Sequence, residues 1–155
     1  MVHTKILIRF LPLFLLAGLT LAQDQPPYDE NADAHQQVTA AIAEASKGQK
    51  NVVLVFGANW CGDCRALNAQ MHKEELAALI AANYEVVKID VGRFNKNKDI
   101  AAKYHVPLAH GIPTLAVLDP SGNVLYTMDQ GQFSNARSMS YESIRDFFAK
   151  WVPKK

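Results

Sequence analysis

The chain predicts an α/β fold: a central mixed β-sheet flanked by helices. Three observations lead there. The run Val52-Val53-Leu54-Val55-Phe56 is apolar and β-branched, the pattern of a strand buried on both faces. A helical stretch and then a valine-rich alternating stretch, Tyr84 to Val91, follow it. Strand, helix and strand in that order make a right-handed crossover with parallel strands. Further on, two short strand-like runs flank Asp119-Pro120-Ser121-Gly122, a strong turn sequence, and so form a hairpin.

Length and charge bound the rest. The 155 residues suffice for one domain with a real core. Composition is that of a globular protein, which excludes collagen-like and disordered classes. Net charge is +1 and like charges do not cluster, so neither nucleic acid nor a polybasic membrane contact is expected.

The N-terminus reads as an address rather than as fold. Lys5 and Arg9 precede an uncharged, leucine-rich stretch from Phe10 to Ala22. It is too short to span a bilayer but suits a signal-peptide core, and Thr20-Leu21-Ala22 carries the small residues of a cleavage site. We assign 1–22 as signal peptide, with the cut before Gln23. Losing Lys5 and Arg9 from 16 basic residues leaves 14 against 15 acidic ones. The expectation is an exported protein, in a bacterial periplasm, with no stable membrane insertion after cleavage.

Residues 23–33 follow as a flexible or extended lead-in linker, marked by Pro26-Pro27. The domain is placed at 34–155. Asp33 followed by Gln36 resembles a capping box. Val38, Ala41, Ile42 and Ala45 then recur at helical spacing until Gly48. A strand covers 51–56. Helices follow over 61–72 and 74–83, then a strand over 84–91. A polar loop, 92–98, leads to a short helix at 99–104. The hairpin pairs 115–118 with 123–128. After a polar loop, Ile144, Phe147, Phe148 and Trp151 give the last helix, 140–151, its apolar stripe.

The chemistry concentrates at Trp60-Cys61-Gly62-Asp63-Cys64, which holds the only two cysteines. A C-x-x-C where a strand becomes a helix reads as a redox motif. Unpaired N–H groups and the positive end of the macrodipole favour a thiolate there. So short a loop does little to constrain an unfolded chain, so a structural staple is a poor explanation. Two cysteines are too few for a zinc ribbon, and Arg65 stands where a c-type haem site needs histidine. A Cu(I) site using both thiolates, with His110 or His72, is the competing reading. His105 and His110 flank the expected groove, although a lone histidine is more often a surface residue. His35 reads as a first-turn surface residue, and Asp90 and Arg93 as structural or solvated.

With Gly111-Ile112-Pro113-Thr114 about 50 residues after the motif, the chain resembles the thioredoxin family over roughly 51–152. The stretch from Cys64 to Asp90 is similar to exported members such as the C-terminal domain of DsbD-type reductants. The resemblance implies a thioredoxin fold and a thiol–disulfide oxidoreductase acting on protein or peptide disulfides. Cys61 would be the exposed nucleophile, Cys64 the resolving thiol, and the two would form the redox-active disulfide. Trp60, Gly62, Asp63, Ile112 and Pro113 would support the substrate, with a cis bond before Pro113. No metal or organic cofactor is implied, only an upstream redox partner that resets the pair.

Three departures qualify the resemblance. Val55 occupies the position of the family's buried aspartate, leaving the base for Cys64 unassigned and Lys88 a surface lysine. Asp63 replaces the usual proline and opposes a nearby thiolate, which favours the reductant direction. Pro107-Leu108-Ala109-His110 reads as an insertion of about three residues beside the substrate groove.

Overall fold

A computed structural model describes residues 26–154. The expected signal peptide, 1–22, lies outside the described residues, as does the start of the lead-in. Helix α1 (Ala34–Gly48) begins where the Asp33 carboxylate accepts a hydrogen bond from the Gln36 backbone N–H at 3.1 Å. That bond satisfies one of the first-turn donors that a helix leaves unpaired. Gly48 was expected to stop the helix but is its last residue. The left-handed position falls on Gln49, with φ of 51°.

Strand β1 (Asn51–Gly57) is buried at every position. Helices α2 (Gly62–Met71) and α3 (Glu74–Asn83) lead to β2 (Tyr84–Asp90), which runs parallel to β1 with Gly57 opposite Asp90. Helix α4 (Lys98–Lys103) and a 3-10 turn (Leu108–His110) precede β3 (Thr114–Leu118). Strand β3 lies antiparallel to β1, and β4 (Val124–Thr127) lies antiparallel to β3. A second 3-10 turn (Ala136–Ser138) leads into α5 (Tyr141–Lys150). The sheet order is β2-β1-β3-β4. The sheet is therefore mixed, and the parallel crossover and the hairpin both form.

Alternation along β1 feeds two cores. Val52, Leu54 and Phe56 pack with Val38 and Ala45 of α1 and Ile100 of α4. Val53 and Val55 face the opposite side, with Leu67 of α2, Leu76 of α3, and Ile144 and Phe148 of α5. Burying a side chain such as Phe148 contributes about 1.5–3 kcal/mol. Two long-range bonds seat the last helix: Tyr84 Oη donates to the Phe148 carbonyl and Asn51 Nδ2 to the Trp151 carbonyl, at 2.5 and 2.8 Å.

The described part of the lead-in, read as flexible or extended, packs against the domain. It forms no helix or strand, but Tyr28 is only 3% exposed. The Asn59 side chain clamps Tyr28's backbone from both sides. Asn59 Oδ1 accepts from the Tyr28 N–H at 3.0 Å, and Nδ2 donates to the Tyr28 carbonyl at 2.8 Å.

Candidate active site

Cys61 is the N-cap of α2. Its Sγ accepts a hydrogen bond from the Cys64 backbone N–H at 3.1 Å. A capping group with a negative charge is stabilised there by that donor and by the helix dipole. The two cysteines are disulfide-bonded, with Cα atoms 5.2 Å apart. A donor at this position lowers the cost of a thiolate on Cys61.

The expectation of an exposed Cys61 is corrected. In the oxidised state it is 5% exposed, against 1% for Cys64. The loop before β3 lies across it, with the Ile112 carbonyl oxygen 3.5 Å from Cys61 Sγ. The Ile112–Pro113 bond is cis and Pro113 is buried. Ile112 and Pro113 thus meet the cysteine pair from the opposite side of the cleft.

Trp60 stands at the rim, 47% exposed. Its indole N–H donates to the Gly92 carbonyl at 2.8 Å, which holds the loop after β2 against the motif. Phe94 of that loop meets Trp60 edge-on, and the Arg93 guanidinium lies over the indole. Phe94, Lys98, Leu108, Ala109 and Gly111 line a shallow cavity of about 410 Å³ beside the site. The expected insertion supplies part of this wall through its 3-10 turn. Phe94 was not read from the sequence, because a lone aromatic in a polar loop has no periodicity to mark it.

Asp63 does not stand as an unopposed charge. Its Oδ1 accepts from the Arg137 backbone N–H at 3.0 Å and from Arg137 Nε at 3.2 Å, and Oδ2 lies 3.2 Å from Nη2. The Arg137 N–H, helped by its guanidinium, holds the Asp63 carboxyl below the usual carboxylate range. The guanidinium also crosses Gly62: a Cβ there would come within 3.2 Å of Nη1. Gly62 therefore permits close passage of a cation over the segment between the cysteines. Arg137 lies 74 residues from Asp63, and nothing local in the sequence pairs them.

Val55 is buried and apolar, as its sequence position implies. Lys88 is not the surface lysine expected. It is half-buried, its ammonium donates to Asn68 Oδ1 on α2, and burial pulls its pKa below the ordinary lysine value. Asp90, read as structural or solvated, is only 5% exposed. The missed residue nearest the chemistry is Tyr28. A Cβ on Gly57 would overlap the Tyr28 phenol and come within 3.0 Å of Cys64 Sγ. A glycine ending an apolar strand is the signal that could have flagged it, since such a glycine often admits a close neighbour.

The histidines stay apart from this cluster. His72 Nδ1 contacts the Asn68 carbonyl one turn back, at the far end of α2 from Cys61. His105 and His110 are exposed. His35 is exposed, as read, and meets Asp99 at 2.8 Å. Among the described residues, no three His, Cys, Asp or Glu side chains gather to hold a metal.

A helix-capping cysteine pair facing a cis-proline loop defines a thiol–disulfide exchange site. Residues 33–120 match the thioredoxin-like family model, and the chain belongs to that family. A solved structure titled as a disulphide isomerase, from Xylella fastidiosa Temecula1, is 48% identical, with a TM-score of 0.79. The alignment covers 81% of this chain and 96% of that one. A probable nucleoredoxin 3 from Oryza sativa subsp. japonica is 30% identical over 111 residues, 59% of this chain and 24% of its own length. A protein disulfide-isomerase from Arthroderma benhamiae (strain ATCC MYA-4681 / CBS 112371) is 31% identical over 108 residues, 68% of this chain and 19% of its own. The chain thus spans a quarter or less of these two curated relatives.

Proposed function

We propose that this chain is an exported thiol–disulfide oxidoreductase that reduces protein disulfides. The observation that carries the reading is the Cys61–Cys64 disulfide at the start of α2, with the Cys64 N–H already aimed at Cys61 Sγ. In the reduced form the Cys61 thiolate attacks a substrate disulfide and forms a mixed disulfide. Cys64 then attacks Cys61 Sγ, which frees the reduced substrate and leaves Cys61 joined to Cys64. An upstream dithiol partner resets the pair. The Trp60–Phe94 rim and the Ile112–Pro113 loop form the two walls that a substrate strand would enter.

Direction follows from the charge around the thiolate. Asp63 and Arg137 sum to zero, so no net cation overstabilises the reduced state. A thiolate without such stabilisation makes its disulfide a weak oxidant. Export rests on the pattern of residues 1–22, and detection of the full-length chain only in the cytoplasm would overturn it.

The test is insulin-disulfide reduction driven by dithiothreitol, together with the reduction potential against glutathione. The expected result is activity lost in Cys61→Ser and Cys64→Ser, with a potential nearer about −270 mV than about −120 mV. A potential at the oxidising end would overturn the reductant direction. Stoichiometric Cu(I) binding without exchange activity would replace the whole reading with that of a copper carrier.

A further inference from the structure

Resting on the oxidoreductase reading, we propose that Tyr28 and Asp90 form the proton path for Cys64: the phenol relays the proton and the carboxylate receives it. The need for such a path follows from burial. Cys64 is 1% exposed, so its thiol has little direct access to water, yet it must lose a proton before it can attack. Val55 contributes nothing to this, since it carries only methyl groups.

The fold brings two polar groups to that sulfur. Tyr28 Oη and Cys64 Sγ both crowd the point where a Cβ on Gly57 would stand, so they are neighbours across one slot. Asp90 is the register partner of Gly57 in the parallel pair of β1 and β2. Register partners point to the same face of a sheet, which puts the Asp90 side chain beside that slot. Asp90 Oδ1 accepts from the Gly92 N–H at 3.1 Å, while buried Oδ2 has no well-aligned hydrogen bond.

The charged and titratable neighbours fit these roles. Lys96, from the loop after β2, places its ammonium 3.1 Å from Asp90 Oδ2, out of line for a hydrogen bond. Lys88, on the same face of β2, is engaged with Asn68 of α2. Glu30, from the lead-in, is held by Asn59. Burial, and then the charge of Asp90, push the Tyr28 phenol far above its ordinary range. Tyr28 therefore stays protonated and passes a proton on without itself acting as the base.

The step balances. In the mixed disulfide, the Cys64 proton moves to Tyr28 Oη as the phenol's own proton moves to the Asp90 carboxylate. The Cys64 thiolate attacks Cys61 Sγ. The Cys61–Cys64 bond forms, and the bond from Cys61 to the substrate sulfur breaks. Its electron pair leaves on the substrate thiolate, which takes a proton from water. The cysteine pair is oxidised by two electrons and the substrate is reduced by two. Reduction of the pair returns the Asp90 proton to Cys64 by the same route.

A chromogenic aromatic disulfide separates the steps in stopped flow. The reduced full chain releases one coloured thiol when Cys61 attacks and a second when Cys64 resolves. Tyr28→Phe and Asp90→Asn are each expected to slow the second release at least tenfold at pH 7. The pH profile of that release should move upward, while the first release, which needs no deprotonation of the Cys64 thiol, is the internal reference. An unchanged second phase and pH profile in both variants would overturn the path. So would slowing by Lys88→Met alone, which would make the lysine the base. Absence of both phases in the wild-type chain would instead remove the oxidoreductase reading itself. A measurement on the wild-type chain covers the case of a variant that does not fold. The carboxyl carbon of Asp90, followed by NMR, should titrate at least half a pH unit apart in the disulfide and dithiol states. Coincident titrations would overturn the proposal.

Discussion

Around Cys61 the neighbours are a backbone donor, a carbonyl and an ion-paired carboxylate; around Cys64 they are a phenol and a bare glycine, with buried Asp90 across the strand pair from that glycine. The two thiols are chemically alike and one helical turn apart. Cys61 sits where a negative charge is welcome, because the helix start supplies donors that water would otherwise provide. Cys64 sits where a negative charge is costly unless a proton acceptor stands close by. A single turn of helix can thus divide one reaction into a charged attacking group and a neutral group held in reserve.

The largest effect should come from breaking the division directly. Cys61→Ser should reduce insulin-disulfide turnover at least about 10³-fold, because the attacking group is gone. Cys64→Ser should also lose turnover, but it should accumulate a mixed disulfide on Cys61 that a non-reducing gel detects. If both variants accumulated equal amounts of adduct, the two cysteines would not have separate roles.

Filling the slot on the Cys64 side should come next. Gly57→Ala places a methyl group on the Tyr28 phenol, and overpacking of this kind costs about 1–3 kcal/mol. Urea denaturation measures it, and a neutral result would mean that Tyr28 can leave the slot freely. Asn59→Ala tests the same side from the clamp. It removes two hydrogen bonds to the Tyr28 backbone and should cost about 1–2 kcal/mol. It should also expose the lead-in to limited proteolysis.

The smallest change in stability belongs to the Cys61 side. Arg137 is exposed, so Arg137→Ala should cost under about 1 kcal/mol. Its effect should instead appear in titration. Because the Asp63 carboxyl is held low in the folded state, its ion pair adds stability above the unfolded carboxylate range, near about pH 4. That contribution disappears as pH falls through the folded value, and Arg137→Ala should flatten this acid dependence. The variant should also raise the Cys61 pKa, read from thiolate absorbance near about 240 nm, since Asp63 would then face the thiolate unpaired. A thiolate titration unchanged by the substitution would show that the pair is too screened to matter.

Much of this site was legible along the chain, but unevenly. The apolar run of β1, the capping Asp33, the stripe of α5 and the Asp119–Gly122 turn each announce themselves within a few residues. The same holds for the cysteine pair, because strand, turn and helix start are adjacent in sequence. Phe94 and Arg137 lie in irregular segments, where period and propensity carry little information. The loop over Cys61 lies 51 residues away, and only the family resemblance, not any local pattern, points to Ile112 and Pro113 there.

The sequence by itself determined the elements, their order and the exchange motif, because periodicity, capping and turn chemistry act over one or two turns of chain. Only the tertiary structure decided what surrounds each sulfur. Arg137 reaches Asp63 because the turn before α5 folds back onto α2. Tyr28 reaches Gly57 because Asn59 draws the lead-in over the end of β1, and Asp90 arrives there through the parallel register of β2. Those meetings follow from packing layers on a shared sheet, a constraint that no local window of residues contains.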